Sequence, residues 1–120
     1  MESKIITEKI SKDELRNILK ENFGTMAKVD VDVKRHILTI GGEWHSEGED
    51  LLIKDGSSRE DAWGVNFHPL NIPEKRIEYV SLINIKPVLK HTTMEITDNA
   101  LKQKISSVIA SLLLSDNENL

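Results

Sequence analysis

The residues with the clearest capacity for chemistry lie between Gly41 and Pro69. Glu43 and His45 stand two positions apart, so on an extended strand both side chains would leave the same face. A carboxylate beside an imidazole can bind a divalent metal ion or support acid–base catalysis. The alternative interpretation is a solvated polar strand edge with neither role.

A catalytic or metal site needs further groups, and the same stretch supplies them. A metal site needs at least one or two ligands beyond Glu43 and His45, and Glu47, Asp61, Asn66 and His68 are available. Asn66 and His68 share a face by the two-residue period of a strand, and they would meet Glu43 and His45 if the two strands pair. The candidate catalytic residues are therefore Glu43, His45, Asp61 and Asn66, and the candidate metal ligands are Glu43 and His45.

Both tryptophans of the chain fall in this stretch. Trp44 and Trp63 can pack in a core or at an edge, or they can offer a flat platform to a ligand. Gly64 follows Trp63 and leaves room for a ring or a backbone to lie close. The candidate binding residues are Trp44, Trp63, Gly64 and Asn84.

Composition limits the classes of function. The chain has 16 Lys and Arg against 20 Asp and Glu, for a net charge of −4, which argues against nucleic-acid binding by electrostatic attraction. It has no cysteine, which excludes disulfides and thiolate metal sites and fits a reducing cytoplasm. We expect no signal peptide and no membrane span, since no apolar run approaches about 20 residues. Phosphate-loop and nucleophile-elbow motifs are also absent, and we predict no cofactor.

The elements that must position these residues begin with a helix. Ser11 and Glu14 have the spacing of a capping box, and an apolar face runs from Leu15 to Phe23 at helical spacing. Gly24 is typical of the residue after a helix C-terminus. The pattern predicts a helix over 12–23.

Strands follow. Alternating valines at 29–33 and the return at 37–40 predict a hairpin. The apolar run at 51–53 favours a third strand, because Gly48 weakens a helix there, although Glu47 to Lys54 could also hold a helical turn. Residues 62–67 predict a fourth strand. The run from Ile77 to Lys86 is apolar on both alternating sets, which is typical of the central strand of a sheet.

A second helix follows near the end of the chain, with Thr97 or Asp98 as its N-cap and an apolar stripe from Leu101 to Leu112. We expect the acidic tail at 115–120 to fray. The sequence thus predicts a single α+β domain over residues 1–120: an N-terminal helix, a mainly antiparallel sheet of about five strands, and a C-terminal helix, with both helices packed on the sheet.

A spaced motif resembles a family of small bacterial proteins catalogued only as a domain of unknown function. The similar residues are Gly41-Gly42-Glu43, His45, Asp55-Gly56-Ser57, Asp61, Trp63-Gly64, Asn66, Pro69 and Ser81 to Pro87. The resemblance covers most of the chain from the first helix onward. It implies a bacterial cytoplasmic domain and brings no established activity.

The chain departs from the family pattern at several positions. The family tends to have leucine at Trp44, tyrosine at His68 and arginine at Lys86, and it has a different polar segment after Pro87. These differences weaken the case for His68 as a ligand, and they remove any inference from relatives about the segment after Pro87.

Two functions fit the sequence. The first is a protein-binding or regulatory module that presents the 41–69 surface to a protein partner or to a second copy of the chain as a homodimer. The second is a small hydrolase that uses Glu43 and His45 with Asp61 or Asn66, with or without a metal ion. A concave pocket that gathers these four residues would favour the enzyme, whereas an exposed apolar patch would favour the binding module.

Overall fold

The computed structural model describes residues 1–120 as one five-stranded antiparallel sheet with three α helices. The strands lie in the order β1-β3-β2-β4-β5. This architecture confirms the predicted α+β class, although the first helix follows a short strand and one helix more is present than predicted. The elements are β1 (Lys4–Ile6), α1 (Lys12–Glu21), β2 (Ala27–Asp32), β3 (Ile37–Ile40), α2 (His45–Lys54), β4 (Ala62–Phe67), β5 (Ile77–Glu78) and α3 (Asn99–Leu112).

One face of the sheet carries the main hydrophobic core. Val31 of β2 pairs with Leu38 on one side and Trp63 on the other, and all three are buried. Helices α1 and α3 contribute to this same core through the apolar stripes that the sequence predicted; their buried members are Leu15, Ile18, Leu19, Ile105, Val108, Ile109 and Leu112. The two predicted helices therefore do pack on the sheet.

The ends of α1 and α3 follow their predicted caps. Ser11 Oγ accepts a hydrogen bond from the Glu14 N–H at 3.0 Å, and the Asp98 side chain accepts one from the Ala100 N–H. Gly24 adopts a φ of +85°, and its N–H donates to the Leu19 carbonyl at 2.8 Å. The helix ends at Glu21, two residues earlier than predicted.

The opposite face of the sheet is polar, and α2 lies on it. Asp30 at the centre of β2 pairs with Thr39 of β3 and Gly64 of β4. Asp30 and Thr39 are 2% and 1% exposed, so the cover excludes water from them. The apolar cluster on this side has only three buried members, Ile37, Leu52 and Ala62.

The strand predicted at 51–53 is wrong, because these residues form the end of α2. The prediction treated Gly48 as a helix breaker. In the structure Gly48 is the point at which α2 rests on Asp30 and Thr39, since a Cβ there would overlap both side chains. The strand considered for Glu43 to His45 is also wrong: Glu43 and Trp44 lie in a bend, Trp44 is the N-cap, and the helix begins at His45.

The central strand predicted at 77–86 is wrong as well. Only Ile77 and Glu78 pair with β4, and they form the edge of the sheet. The chain then turns through two short 3₁₀ helices, Leu82–Asn84 and Pro87–Leu89. The central strand is β2. Its alternating polar residues are covered by α2, whereas in the sequence the same alternation is typical of a strand with one face in solvent.

The C-terminal tail, which was expected to fray, makes specific contacts with the body of the protein. Arg76 is buried and donates hydrogen bonds to the carbonyls of Ser115 and Glu118 at 3.1 and 2.7 Å. Glu118 also pairs with Lys9. Among the three helices, none has the length and apolar character required to cross a bilayer.

Candidate functional site

The candidate site is built on a buried hydrogen bond between a histidine of α2 and an aspartate of the sheet. His45 is the first residue of α2, and its Nδ1 lies 2.7 Å from Oδ1 of Asp30. The side chain of His45 is 9% exposed and that of Asp30 is 3% exposed. This pair therefore fixes the N-terminal end of the helix over the centre of β2.

The other ring nitrogen of His45 continues the network. Its Nε2 lies 3.1 Å from Oδ1 of Asn66, and Nδ2 of Asn66 donates to Oε1 of Glu78 at 2.8 Å. Because an ionised carboxylate only accepts hydrogen bonds, Glu78 orients the Asn66 amide with its oxygen toward His45. Both ring nitrogens of His45 thus face side-chain oxygens.

Burial changes the acidity of Asp30. Desolvation raises the pKa of the Asp30 carboxyl from 3.8 to about 6, while the hydrogen bond and the positive charge of His45 oppose this rise. A carboxyl with a pKa near neutrality beside an imidazole can exchange protons under physiological conditions, which is common at functional sites.

Two glycines make the close approach of His45 to Asp30 feasible. A Cβ on Gly48 would overlap the Asp30 carboxylate, as described above. A Cβ on Gly64 would lie 2.6 Å from Oγ of Ser81 and 3.0 Å from Nδ1 of His45. Gly64 therefore contributes to the site by leaving space for its neighbours.

Asn84 holds the segment after β5 against the open edge of β4. Its Oδ1 accepts from the Gly64 N–H at 2.8 Å, and its Nδ2 donates to the Gly64 carbonyl at 2.9 Å. Nδ2 also donates to the Met94 carbonyl at 3.0 Å. The side-chain amide of this fully buried residue thereby replaces the strand that would otherwise pair with Gly64, and it fixes the position of residues 80–85.

A pocket of about 390 Å³ opens beside His45, between the start of α2 and residues 80–83. The indole of Trp44 is 63% exposed at its rim, and Leu82 on the facing segment is 70% exposed. The lining residues are Lys28, Trp44, His45, Ser46, Asn66, Val80, Ser81, Leu82 and Ile83. Apolar walls with a few convergent polar groups are typical of ligand sites.

Residues 4–112 match a protein family described as a protein of unknown function, DUF5674. The chain belongs to the DUF5674 family. This membership confirms the resemblance that the spaced motif indicated. No curated protein and no solved structure matches the chain.

Of the candidate residues predicted for this DUF5674 chain, some line the pocket and others lie away from it. His45 and Asn66 come together in the pocket, and Trp44 joins them at its rim. Glu43 is exposed and makes no hydrogen bond or ion pair. Asp61 contributes its backbone carbonyl to the Val33 N–H and does not line the pocket.

Trp63 lies on the opposite face of the sheet from the pocket. It is 6% exposed within the main core, and the ring of His91 contacts it edge-on at 5.1 Å between ring centroids. Nζ of Lys86 lies 5.1 Å from the centroid of the Trp63 ring. Trp63 is therefore a packing residue.

No group of three or more His, Asp or Glu side chains is arranged to hold a metal ion. His68 approaches Glu78 at 3.6 Å through its Nε2, and it does not line the pocket. Glu43 and His45 are not part of a common ligand set.

The sequence did not reveal three members of the site: Asp30, Glu78 and Ser81. A signal for Asp30 was present, since Lys28, Asp30 and Asp32 alternate with buried valines and occupy one face of β2. That pattern also fits a solvated face, and only the position of α2 distinguishes the two.

A second pocket of about 370 Å³ lies beyond Ile83. Nζ of Lys86 donates to the Arg59 carbonyl at 2.6 Å and lies 3.8 Å from Oε2 of Glu49. Burial lowers the pKa of the Lys86 amine. Glu49 is one turn of α2 after His45, so Lys86 contacts the middle of the same helix.

Proposed function

We propose that this protein is a protein-binding module, and that the pocket beside Trp44 receives an apolar side chain of the partner. The exposure of Trp44 at the rim of the pocket supports the proposal most strongly. Tryptophan is enriched among the interface residues that contribute most to binding energy. Leu82, which is more exposed still, faces it from the other wall.

The energy available from this surface is sufficient for a specific contact. An aromatic side chain buries roughly 200 Å² on full burial, and Trp44 retains 63% exposure. At about 25 cal/mol per Å², covering the remainder of the indole contributes about 3 kcal/mol before the cost of association. Burial of Leu82 on the facing wall adds to this contribution.

The walls of the pocket are held in place before any partner binds. His45 ties the start of α2 to Asp30, and Asn84 ties residues 80–85 to β4. A preorganised pocket loses little conformational entropy on binding.

Affinity capture with matched variants tests the proposal. The native protein, Trp44→Ala and Ile72→Ala serve as baits in an extract of the source organism, and any captured protein is purified and titrated calorimetrically against all three. Ile72 is a suitable control because it is 59% exposed and does not line the pocket. We expect Trp44→Ala to weaken the affinity at least tenfold and Ile72→Ala to leave it unchanged. Equal losses for both variants would contradict the proposal.

A second copy of the chain is one such partner. Sedimentation velocity over a range of concentrations measures the self-association, and Trp44→Ala should lower the dimer fraction if the pocket face forms the contact. An unchanged monomer–dimer equilibrium in Trp44→Ala would exclude this face from the homodimer.

Acid–base catalysis by His45 is the second candidate, and the buried Asp30–His45 pair favours it. Asp30 orients the ring through Nδ1, which leaves Nε2 as the nitrogen that would exchange a proton with a substrate or water. Asn66 bonds this nitrogen at 3.1 Å, so a substrate would have to replace the Asn66 oxygen. Glu43 and Asp61 lie outside this arrangement, which leaves His45 with Asn66 from the predicted hydrolase set.

A panel of activated esters and amides tests the catalytic candidate. Hydrolysis by the native protein should fall at least a hundredfold in His45→Gln and remain in His68→Gln, because general acid–base groups contribute 10²–10⁴-fold. Equal rates for the two variants would exclude His45 as the catalyst.

A further inference from the structure

We propose that the group which enters the pocket is a C-terminal residue of the partner, with an apolar side chain against Trp44 and its terminal carboxylate beside Lys28. This inference rests on the proposed binding function and specifies the chemistry of the ligand.

The lining of the pocket contains one cationic residue, Lys28, and no carboxylate. The chain has an excess of acidic residues, 20 against 16 Lys and Arg, but none of the nine lining residues is acidic. The two titratable side chains are Lys28 and His45. An anionic ligand is therefore the complementary one.

Two carboxylates near the pocket are already engaged, and no carboxylate forms an ion pair with Lys28. Asp30 bonds His45, and Glu78 bonds Asn66 and lies 3.6 Å from His68. Lys28 has no carboxylate partner within 4 Å, and its Nζ lies 5.6 Å from the centroid of the exposed ring of Phe23. The Lys28 ammonium can therefore pair with a ligand without breaking an existing ion pair.

Backbone donors reinforce the same preference. Trp44 is the N-cap of α2 but offers no side-chain oxygen, so no cap hydrogen bond forms. The N–H groups at the first residues of the helix, His45 and Ser46, have no partner in the preceding turn, and both residues line the pocket. Capture of a terminal carboxylate by backbone N–H groups is a recurrent mode of peptide recognition.

The size of the pocket favours a chain end over an internal segment. Its volume of about 390 Å³ lies near the lower limit for small-ligand sites. In a C-terminal residue, the carboxylate and the side chain leave the same Cα atom. The apolar residues Trp44 and Leu82 and the ammonium of Lys28 line this one pocket, so a single ligand residue can meet both kinds of group.

Three small probes test the inference. N-acetyl-L-phenylalanine carries the terminal carboxylate, N-acetyl-L-phenylalaninamide lacks it, and N-acetyl-L-glutamyl-L-phenylalaninamide carries a side-chain carboxylate instead. Their affinities are measured from the shift of the Trp44 indole N–H resonance. We expect the first probe to bind roughly tenfold more tightly than the other two, the difference typical of one charge-assisted hydrogen bond.

Matched variants assign the preference to Lys28. In Lys28→Met the acid and the amide should bind within twofold of each other, whereas Lys34→Met should retain the tenfold preference. Lys34 is an exposed residue in the turn between β2 and β3, so this control makes the same change in net charge. If Lys28→Met does not fold, Lys28→Gln replaces it.

The outcomes separate this inference from the proposed function. Equal binding of acid and amide would refute the carboxylate and leave the apolar pocket intact. Tightest binding of the glutamyl probe would refute the chain end as the source of the carboxylate. Binding of none of the probes at millimolar concentration would count against both the inference and the pocket as a site for an apolar side chain.

Discussion

Replacement of Gly48 by alanine should destabilise the protein, although Gly48 lies in the interior of α2. Alanine is preferred over glycine in a helix interior by about 1 kcal/mol, so helix propensity alone predicts a gain. The structure predicts the opposite sign. A Cβ at this position would overlap Oδ2 of Asp30 and Oγ1 of Thr39, and both side chains are buried.

The size of the loss in stability depends on how far the new Cβ displaces the side chains of Asp30 and Thr39. Overpacking of a buried contact costs about 1–3 kcal/mol. Displacement of Asp30 also weakens its hydrogen bond to His45, and a bond to a charged group contributes about 1.5–3 kcal/mol. After the gain in helix propensity is subtracted, we expect Gly48→Ala to lower the free energy of unfolding by about 2–4 kcal/mol.

Urea and thermal unfolding measure this change, and for a chain of this size a loss of 3 kcal/mol lowers the Tm by roughly 10 °C. Ser107→Ala is the control: it is an exposed position within α3, and its change should stay within about 0.5 kcal/mol. The Asp30→Ala background supplies a second test, because removal of the carboxylate should make Gly48→Ala less harmful. A Gly48→Ala variant as stable as the native protein would refute the packing of α2 on Asp30.

Three further predictions concern single residues. Asn84→Ala should lower the free energy of unfolding by about 2–4 kcal/mol in urea melts, because it leaves the buried N–H and carbonyl of Gly64 unpaired; an unchanged midpoint would contradict this role. The ¹³Cγ resonance of Asp30 should titrate near pH 6, well above 3.8. Since the folded state binds this proton more tightly than the unfolded state, the contribution of Asp30 to stability should be present below about pH 4 and be lost as the pH rises through 6. Urea melts at pH 4 and 7 should show the native protein losing stability relative to Asp30→Asn, and a parallel pH dependence would refute the assignment. Ser11→Ala should cost about 1 kcal/mol through loss of the bond to the Glu14 N–H, and an unchanged thermal midpoint would disagree.

The candidate site was predictable only in part: the sequence indicated some of its residue types but not the contacts between elements that bring them together. His45 and Asn66 stood out by residue type, and the structure brings them together at 3.1 Å. They were expected to meet because two strands pair, whereas they meet because α2 starts above β4. Asp30, which is hydrogen-bonded to His45, was not predicted as a site residue, because a carboxylate in an alternating strand normally faces water.

Interactions that are local in the chain were determined by the sequence alone. The cap at Ser11, the hairpin of β2 and β3, the strand at 62–67 and the helix after Asp98 were all confirmed. Each is indicated by a cap or a period among residues a few positions apart, although β4 forms its strand pairing with the distant β2.

Only the tertiary structure decided what covers the polar face of β2. From the local sequence, Gly48 indicates a break in a helix. In the structure, the absence of a side chain at Gly48 allows α2 to approach Asp30. The apolar run at 77–86 is typical of a central strand, but the central strand of the sheet is β2. The run instead lies along the edge of the sheet, where Asn84 is hydrogen-bonded to Gly64. In both cases the deciding contact joins residues about 20 positions apart, and no local pattern encodes such a contact, because the free energy of packing depends on which surfaces meet.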